Sequence, residues 1–164
     1  MRFVVVLVVG LGLLFATPAA ADSGCANGQP DAKPVGNGEK VIVDYFRAVN
    51  ARDYTTAWGY LGRPMRAMYG AMSPDQDTTG LVDFSSIMSR HIKCVRVTKI
   101  SNADSSDPDI SASMGIQWYQ VSFDDEYLTP FEAGAGTLPP FYKTQADPHE
   151  GAPPPLIVNQ ATGL

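Results

Sequence analysis

Apolar residues recur at helical spacing early in the chain: Val41, Ile42, Tyr45, Phe46, Ala48 and Val49 lie three or four positions apart. That pattern predicts one face of an amphipathic helix lying on a core. Lys40, Asp44, Arg47 and Ala51 mark the opposite face, with Lys40–Asp44 and Asp44–Arg47 spaced for ion pairing along a helix. Asn37 is the expected N-cap, and Glu39 places a negative charge in the first turn. Residues 50–53 form a polar corner in which Asp53 can cap a second helix, 54–61, whose Tyr54, Ala57, Trp58 and Leu61 share a face. Gly62 is expected in the left-handed conformation that ends helices, and Pro64 blocks any continuation. Residues 65–72 read as one more helical turn or an irregular segment, 73–80 as turn material, and 81–90 as a third short helix carrying Leu81, Phe84, Ile87 and Met88 on one face.

The period then changes from helical to two. From Ile92, Val95 and Val97 alternate with Arg96 and Thr98, and Ile100 closes a strand. Residues 101–109 are a surface loop rich in Ser and Asp. Residues 114–127 form the longest strand candidate. Its apolar phase runs through Met114, Ile116 and Trp118, then shifts to Tyr119, Val121 and Phe123. Such a change of parity predicts a β-bulge or strong bend near Trp118–Tyr119. Residues 131–136 read as a hairpin connection, 138–144 as a third strand begun by two prolines, and 156–161 as a fourth, with loop at 147–155 and no internal repeat. Helices followed by strands predict an α+β fold, its N-terminal helices packed on one face of an antiparallel sheet.

The first residues of the chain add an expected location. Behind Arg2, residues 3–15 are almost entirely apolar, and small residues follow up to Ala19, Ala20 and Ala21. This is the pattern of a secretory leader over residues 1–21, cleaved before Asp22, and it is too short to cross a bilayer comfortably. An uncleaved signal anchor is the competing reading. Residues 22–37 then form a tail rich in Gly, Pro, Asn and Asp, and 38–164 a single domain. Losing Arg2 takes the formal net charge one unit below the −5 of the whole chain. No basic stripe remains, so nucleic acid is not an expected partner. The expected location is outside the cytoplasm, secreted or in the cell envelope, with no transmembrane segment after cleavage.

Two cysteines, Cys25 and Cys94, are present. In an oxidising compartment they are expected to pair, closing a loop of about 70 residues worth roughly 4 kcal/mol in the chain-entropy model. Lipidation of Cys25 is the alternative, opposed by Asp22 three residues before it, where a lipobox needs an apolar residue. His91 and His149 stand far apart, without metal-ligand spacing. Asp75, Asp77, Asp104, Asp107 and Asp109 lie in two acidic loops that lack the Gly and terminal Glu of a calcium loop. Ser85 and Ser86 lack a nucleophile elbow, and no phosphate-binding glycine motif occurs. No cofactor, metal or catalytic residue is assigned on these grounds.

The run from Tyr45 to Gly62, reading Y-F-R-A-V-N-A-R-D-Y-T-T-A-W-G-Y-L-G, resembles the first two helices of small secreted actinobacterial proteins of the nuclear transport factor 2-like (cystatin-like) superfamily. The closing segment, L-I-V-N-Q-A-T-G-L, is similar to their last strand. Members usually bring an aromatic residue into that strand, where this chain has Pro153, Pro154 and Pro155. The resemblance implies a cone-shaped domain whose curved sheet wraps a long helix, often around a cavity. It implies two functions. One is a non-catalytic, envelope-associated binding or accessory domain that takes a small apolar ligand or an envelope protein. The other is a cavity enzyme of isomerase or dehydratase type, using Tyr45, Tyr54, Tyr119 and Asp124. The aromatics Tyr45, Phe46, Tyr54, Trp58, Trp118, Tyr119 and Phe123 are the candidate pocket lining, with packing as core the simpler role for each.

Overall fold

The computed structural model describes residues 31–103, 115–128, 138–145 and 155–161. The leader, Cys25, His149, the acidic residues 104–109 and the hairpin at 131–136 lie outside them. Helix α1 (Asn37–Asn50) buries the apolar face read from its spacing, together with Val43 and Gly38. Asp44 on the outer face pairs with Lys40, and also with Arg47 at 3.2 Å. The N-cap is Gly36, not Asn37, and no side chain caps it. Glu39 instead turns its carboxylate back to accept from the Val35 N–H at 2.6 Å.

The corner after α1 is built by three polar side chains. Asn50 bonds both backbone groups of Val95, donating at 2.5 Å and accepting at 2.9 Å. Arg52 takes a left-handed backbone (φ 59°) and donates to the carbonyls of Ile92 and Lys93 at 2.7 and 3.2 Å. Asp53 caps α2 (Tyr54–Gly59) by accepting from the Thr56 N–H at 3.0 Å, as its position suggested.

Gly62 is not left-handed. It is extended (φ −74°, ψ 166°) and begins α3 (Arg63–Ala67), with Pro64 inside the first turn, where its missing N–H costs nothing. Glycine is required there by contact, because a Cβ would lie 2.8 Å from Val158. The stretch read as turn, 73–80, holds a short 3-10 turn (Pro74–Gln76) and the start of α4 (Asp77–His91). Helix α4 therefore runs longer than its apolar spacing indicated.

Four strands follow: β1 (Ile92–Asn102), β2 (Ile116–Tyr127), β3 (Phe141–Gln145) and β4 (Leu156–Ala161), in antiparallel order β1-β2-β3-β4. The architecture is α+β, and the principal core lies between the helices and the sheet, with Ile42, Val43, Phe84, Val95, Val97 and Ile157 fully buried. No helix of the described residues is long and apolar enough to cross a membrane.

The bulge expected near Trp118–Tyr119 is absent. β2 pairs regularly with β3 through that point, and the register slips instead on β1, at Ile92/Cys94 and Val97/Lys99. The parity change in β2 has a different cause: Ile116 and Trp118 occupy the outer face of the sheet, while Tyr119 and Val121 are buried on the inner one. Lys143 on β3, opposite Trp118, covers its ring at 5.9 Å.

Candidate functional site

The inner face of the sheet meets α1 and α4 in a continuous set of aromatic rings. From α1, Phe46 packs edge-on against Tyr45 at 4.8 Å, Phe123 of β2 at 5.0 Å and Tyr142 of β3 at 5.7 Å. From α4, Phe84 meets Trp58 at 5.5 Å, Tyr69 at 5.1 Å, Tyr54 at 6.2 Å and Tyr45 at 6.4 Å. Most of these rings are core: Tyr45, Phe46, Trp58, Tyr119 and Tyr142 are each 5 % exposed or less. Six of the seven residues read as pocket lining lie in the core or packed against it. Trp118 does not join them, because it faces the other side of the sheet.

The polar ends of these rings divide into two groups. Trp58 donates its indole N–H to Asp77 at 3.0 Å; Arg66 pairs with the same carboxylate at 3.2 Å and lies 5.4 Å over the indole ring. That corner is self-contained, with cation, carboxylate and aromatic face all supplied by the chain. Tyr119 is similarly occupied, donating to Gln117 at 2.8 Å.

The second group is not closed in this way. The hydroxyls of Tyr45, Tyr69 and Tyr142 make no hydrogen bond to any described residue, although Tyr45 and Tyr142 are nearly inaccessible. Burial pushes all three phenols up, Tyr69 to about 12 and the other two well above the ordinary range. Tyr69 and Tyr142 also add to the shift of Tyr45, and Tyr69, Tyr127 and Asp125 to that of Tyr142, so these groups share one region. Among the described residues only the Nε of Arg96 is a sealed side-chain atom without a partner, so the three phenol oxygens keep some accessible surface, which leaves room for a water or a ligand.

At the edge of this region Tyr127 donates to the Asp125 carboxylate at 2.5 Å and accepts from the Leu138 N–H at 2.8 Å. Burial first, then Asp125, pushes the Tyr127 phenol up. Asp125 lies opposite Val95 on the inner face, in phase with Phe123 and Val121. Asp124, the carboxylate named from the sequence, lies on the outer face and pairs with Arg96 at 2.6 Å. That guanidinium's Nε is sealed without a partner. The inward carboxylate was thus misidentified by one position. Continuing the parity of Tyr119, Val121 and Phe123 by one step would have identified Asp125 and then Tyr127.

Comparison of the chain with protein-family models, curated proteins and solved structures returns no match. Among the described residues no cluster of His, Cys, Asp and Glu is arranged to hold a metal. His91 ends α4 and its carbonyl accepts from the Leu128 N–H at 2.8 Å. Cys94 on β1 is 7 % exposed and is not a free thiol.

Proposed function

We propose that this chain is a secreted or envelope-associated, non-catalytic binding domain that holds a small ligand with an apolar body against its aromatic interior. One observation carries the reading: the phenols of the buried Tyr45 (α1) and Tyr142 (β3) and of the half-buried Tyr69, in the turn after α3, share a region without hydrogen-bond partners among the described residues. A protein stabilised by burial alone gains from Phe at such positions, since a hydroxyl adds only a desolvation cost. Retaining three hydroxyls fits recognition of a partner that hydrogen-bonds to them. The resemblance to nuclear transport factor 2-like proteins, whose sheet and helix often enclose a cavity, supports the same reading without being required by it. The apolar leader and the pairing of Cys25 with Cys94 belong to this proposal as the features of an extracytoplasmic protein.

Native mass spectrometry of the secreted protein, followed by solvent extraction, tests it. A co-purified small molecule, released by Tyr45→Phe combined with Tyr142→Phe while the fold persists, is the expected result. A high-resolution structure with only ordered water on the three hydroxyls, and no displacement of a fluorescent apolar probe, would overturn it.

A second reading, a cavity enzyme of isomerase or dehydratase type, is favoured by the Asp125–Tyr127 contact, which places a carboxylate against a phenol at the aromatic interior. Such a pair is suited to moving a proton to or from carbon. This reading requires exchange of ligand hydrogen with solvent deuterium, lost in Asp125→Asn while binding remains. A bound ligand that never exchanges leaves binding alone.

A further inference from the structure

Asp77 beside Trp58 and the three carboxylates at the end of β2 differ in one respect. Asp77 has its own cation: Arg66 pairs with it at 3.2 Å and stacks over Trp58 at 5.4 Å. On the outer face Asp124 has Arg96, and Glu126 has Lys93 at 2.7 Å. Asp125 is the exception. It points inward, is half-buried, and its hydrogen bond among the described residues is with the neutral hydroxyl of Tyr127. A partly buried carboxylate favours a cationic partner. Two positions before it on the same strand face, the half-buried ring of Phe123 packs edge to face against the buried rings of Phe46 at 5.0 Å and Tyr142 at 5.9 Å. Aromatic faces joined to a carboxylate are the chemistry that holds alkylammonium ions, by cation–π attraction and charge pairing together.

We infer that the ligand of this domain is a small organic cation, an alkyl- or quaternary ammonium ion, whose charge sits at Asp125 and whose apolar groups lie against the half-buried ring of Phe123. This inference rests on the binding reading above and narrows its ligand class. The Trp58–Arg66–Asp77 corner shows the same three-part arrangement completed from within the chain. At Asp125 the aromatic and anionic parts are present, and no cation among the described residues completes the set. The acidic balance of the chain suits the approach of a cation. An anionic ligand is disfavoured, because among the described residues the charged group in phase with Phe123 on the inner face is the carboxylate of Asp125.

The test compares choline with 3,3-dimethylbutan-1-ol, its neutral isostere, by calorimetry on the secreted protein, alongside displacement of a fluorescent apolar probe. Choline is expected to bind at least about tenfold more tightly than the isostere, the margin that charge pairing and cation–π contact supply together. Asp125→Asn, which keeps an acceptor for Tyr127, should remove most of that margin. Phe123→Leu, which keeps apolar volume but no π face, should reduce it while sparing the isostere. Equal binding of both compounds would overturn the inference and leave the binding reading intact. Displacement of the apolar probe without choline binding would do the same. Failure of choline, isostere and probe together would overturn both. A margin unchanged in Asp125→Asn, with the variant shown folded by its melting curve, would also overturn the inference.

Discussion

Gly38 and Gly80 sit inside helices, where glycine is the weakest helix former after proline and alanine should gain about 1 kcal/mol. Contact reverses that expectation. A Cβ at Gly80 would lie 2.7 Å from the Cβ of Ala71 and 2.9 Å from Trp58, and one at Gly38 would collide with the Tyr119 hydroxyl and lie 2.8 Å from the buried Thr144 Oγ1. These are backbone-near atoms or packed rings that cannot swing away, so the helices approach closely because the side chain is missing. Gly80→Ala and Gly38→Ala are each expected to lower stability by about 1–3 kcal/mol, the ordinary cost of overpacking. Chemical denaturation reads this directly, and an unchanged or raised midpoint for either variant would show that the neighbours relax. Residue identity thus carries long-range information that helical propensity does not contain. The Asp124–Asp125 pair is the same lesson at the site: composition shows an acidic strand end, and only the phase of the strand decides which carboxylate turns inward.

At the scale of elements, the first helix, the α1–α2 corner and the strand sequence were readable because hydrophobic period and capping residues are local signals. The bulge was also written locally, but on the other strand. Ile92, Val95, Val97 and Ile100 are spaced three, two and three apart, and the slips at Ile92/Cys94 and Val97/Lys99 keep their inward phase along β1. What sequence reading could not supply is the role of the polar corner residues, because their partners lie some forty positions away. Those partners are the outward-facing groups of an edge strand. Asn50 holds Val95, Arg52 holds the carbonyls of Ile92 and Lys93, and the Ala32 N–H donates to Val97 at 2.8 Å. The opposite edge is held at one point by the same helical region, where Ile157 of β4 bonds Tyr60 and Gly62 at 2.9 and 2.8 Å. Covered edges cannot pair with other chains. Asn50→Ala should therefore cost about 1–3 kcal/mol, by orphaning two backbone groups, and should raise the tendency to self-associate. Light scattering at rising concentration checks the second effect; a monomeric variant of undiminished stability would mean that water replaces the amide.

For the whole molecule, the N-terminal segment is an integral part of the sheet edge. Asp31 pairs with Arg47 at 2.8 Å and Ala32 bonds β1, three residues beyond Cys94. A Cys25–Cys94 bond would fix the same segment, and intact mass should rise by two daltons on reduction if it is present. The interior sets a pH limit as well. Burial raises the phenols of Tyr45, Tyr69, Tyr127 and Tyr142 above the ordinary value of 10.0. In the unfolded chain these groups lose their protons near pH 10, whereas the folded chain still holds them, so above that pH the unfolded state binds fewer protons and stability falls with rising pH. Their contribution is complete below about pH 10 and is lost as pH climbs toward the folded values, about 12 for Tyr69. Thermal melts across that window should show a falling midpoint, with phenolate absorbance from these tyrosines appearing only together with loss of the fold. Tyr45→Phe plus Tyr142→Phe should flatten the fall, since Phe has no proton to lose. Phenolate absorbance that develops fully in a folded protein would mean that the hydroxyls are open to hydroxide and that the interior is wet. The same titration repeated with a bound cation should shift the onset upward only if the ligand binds the folded state, linking the alkaline limit of the fold to the occupancy of its aromatic centre.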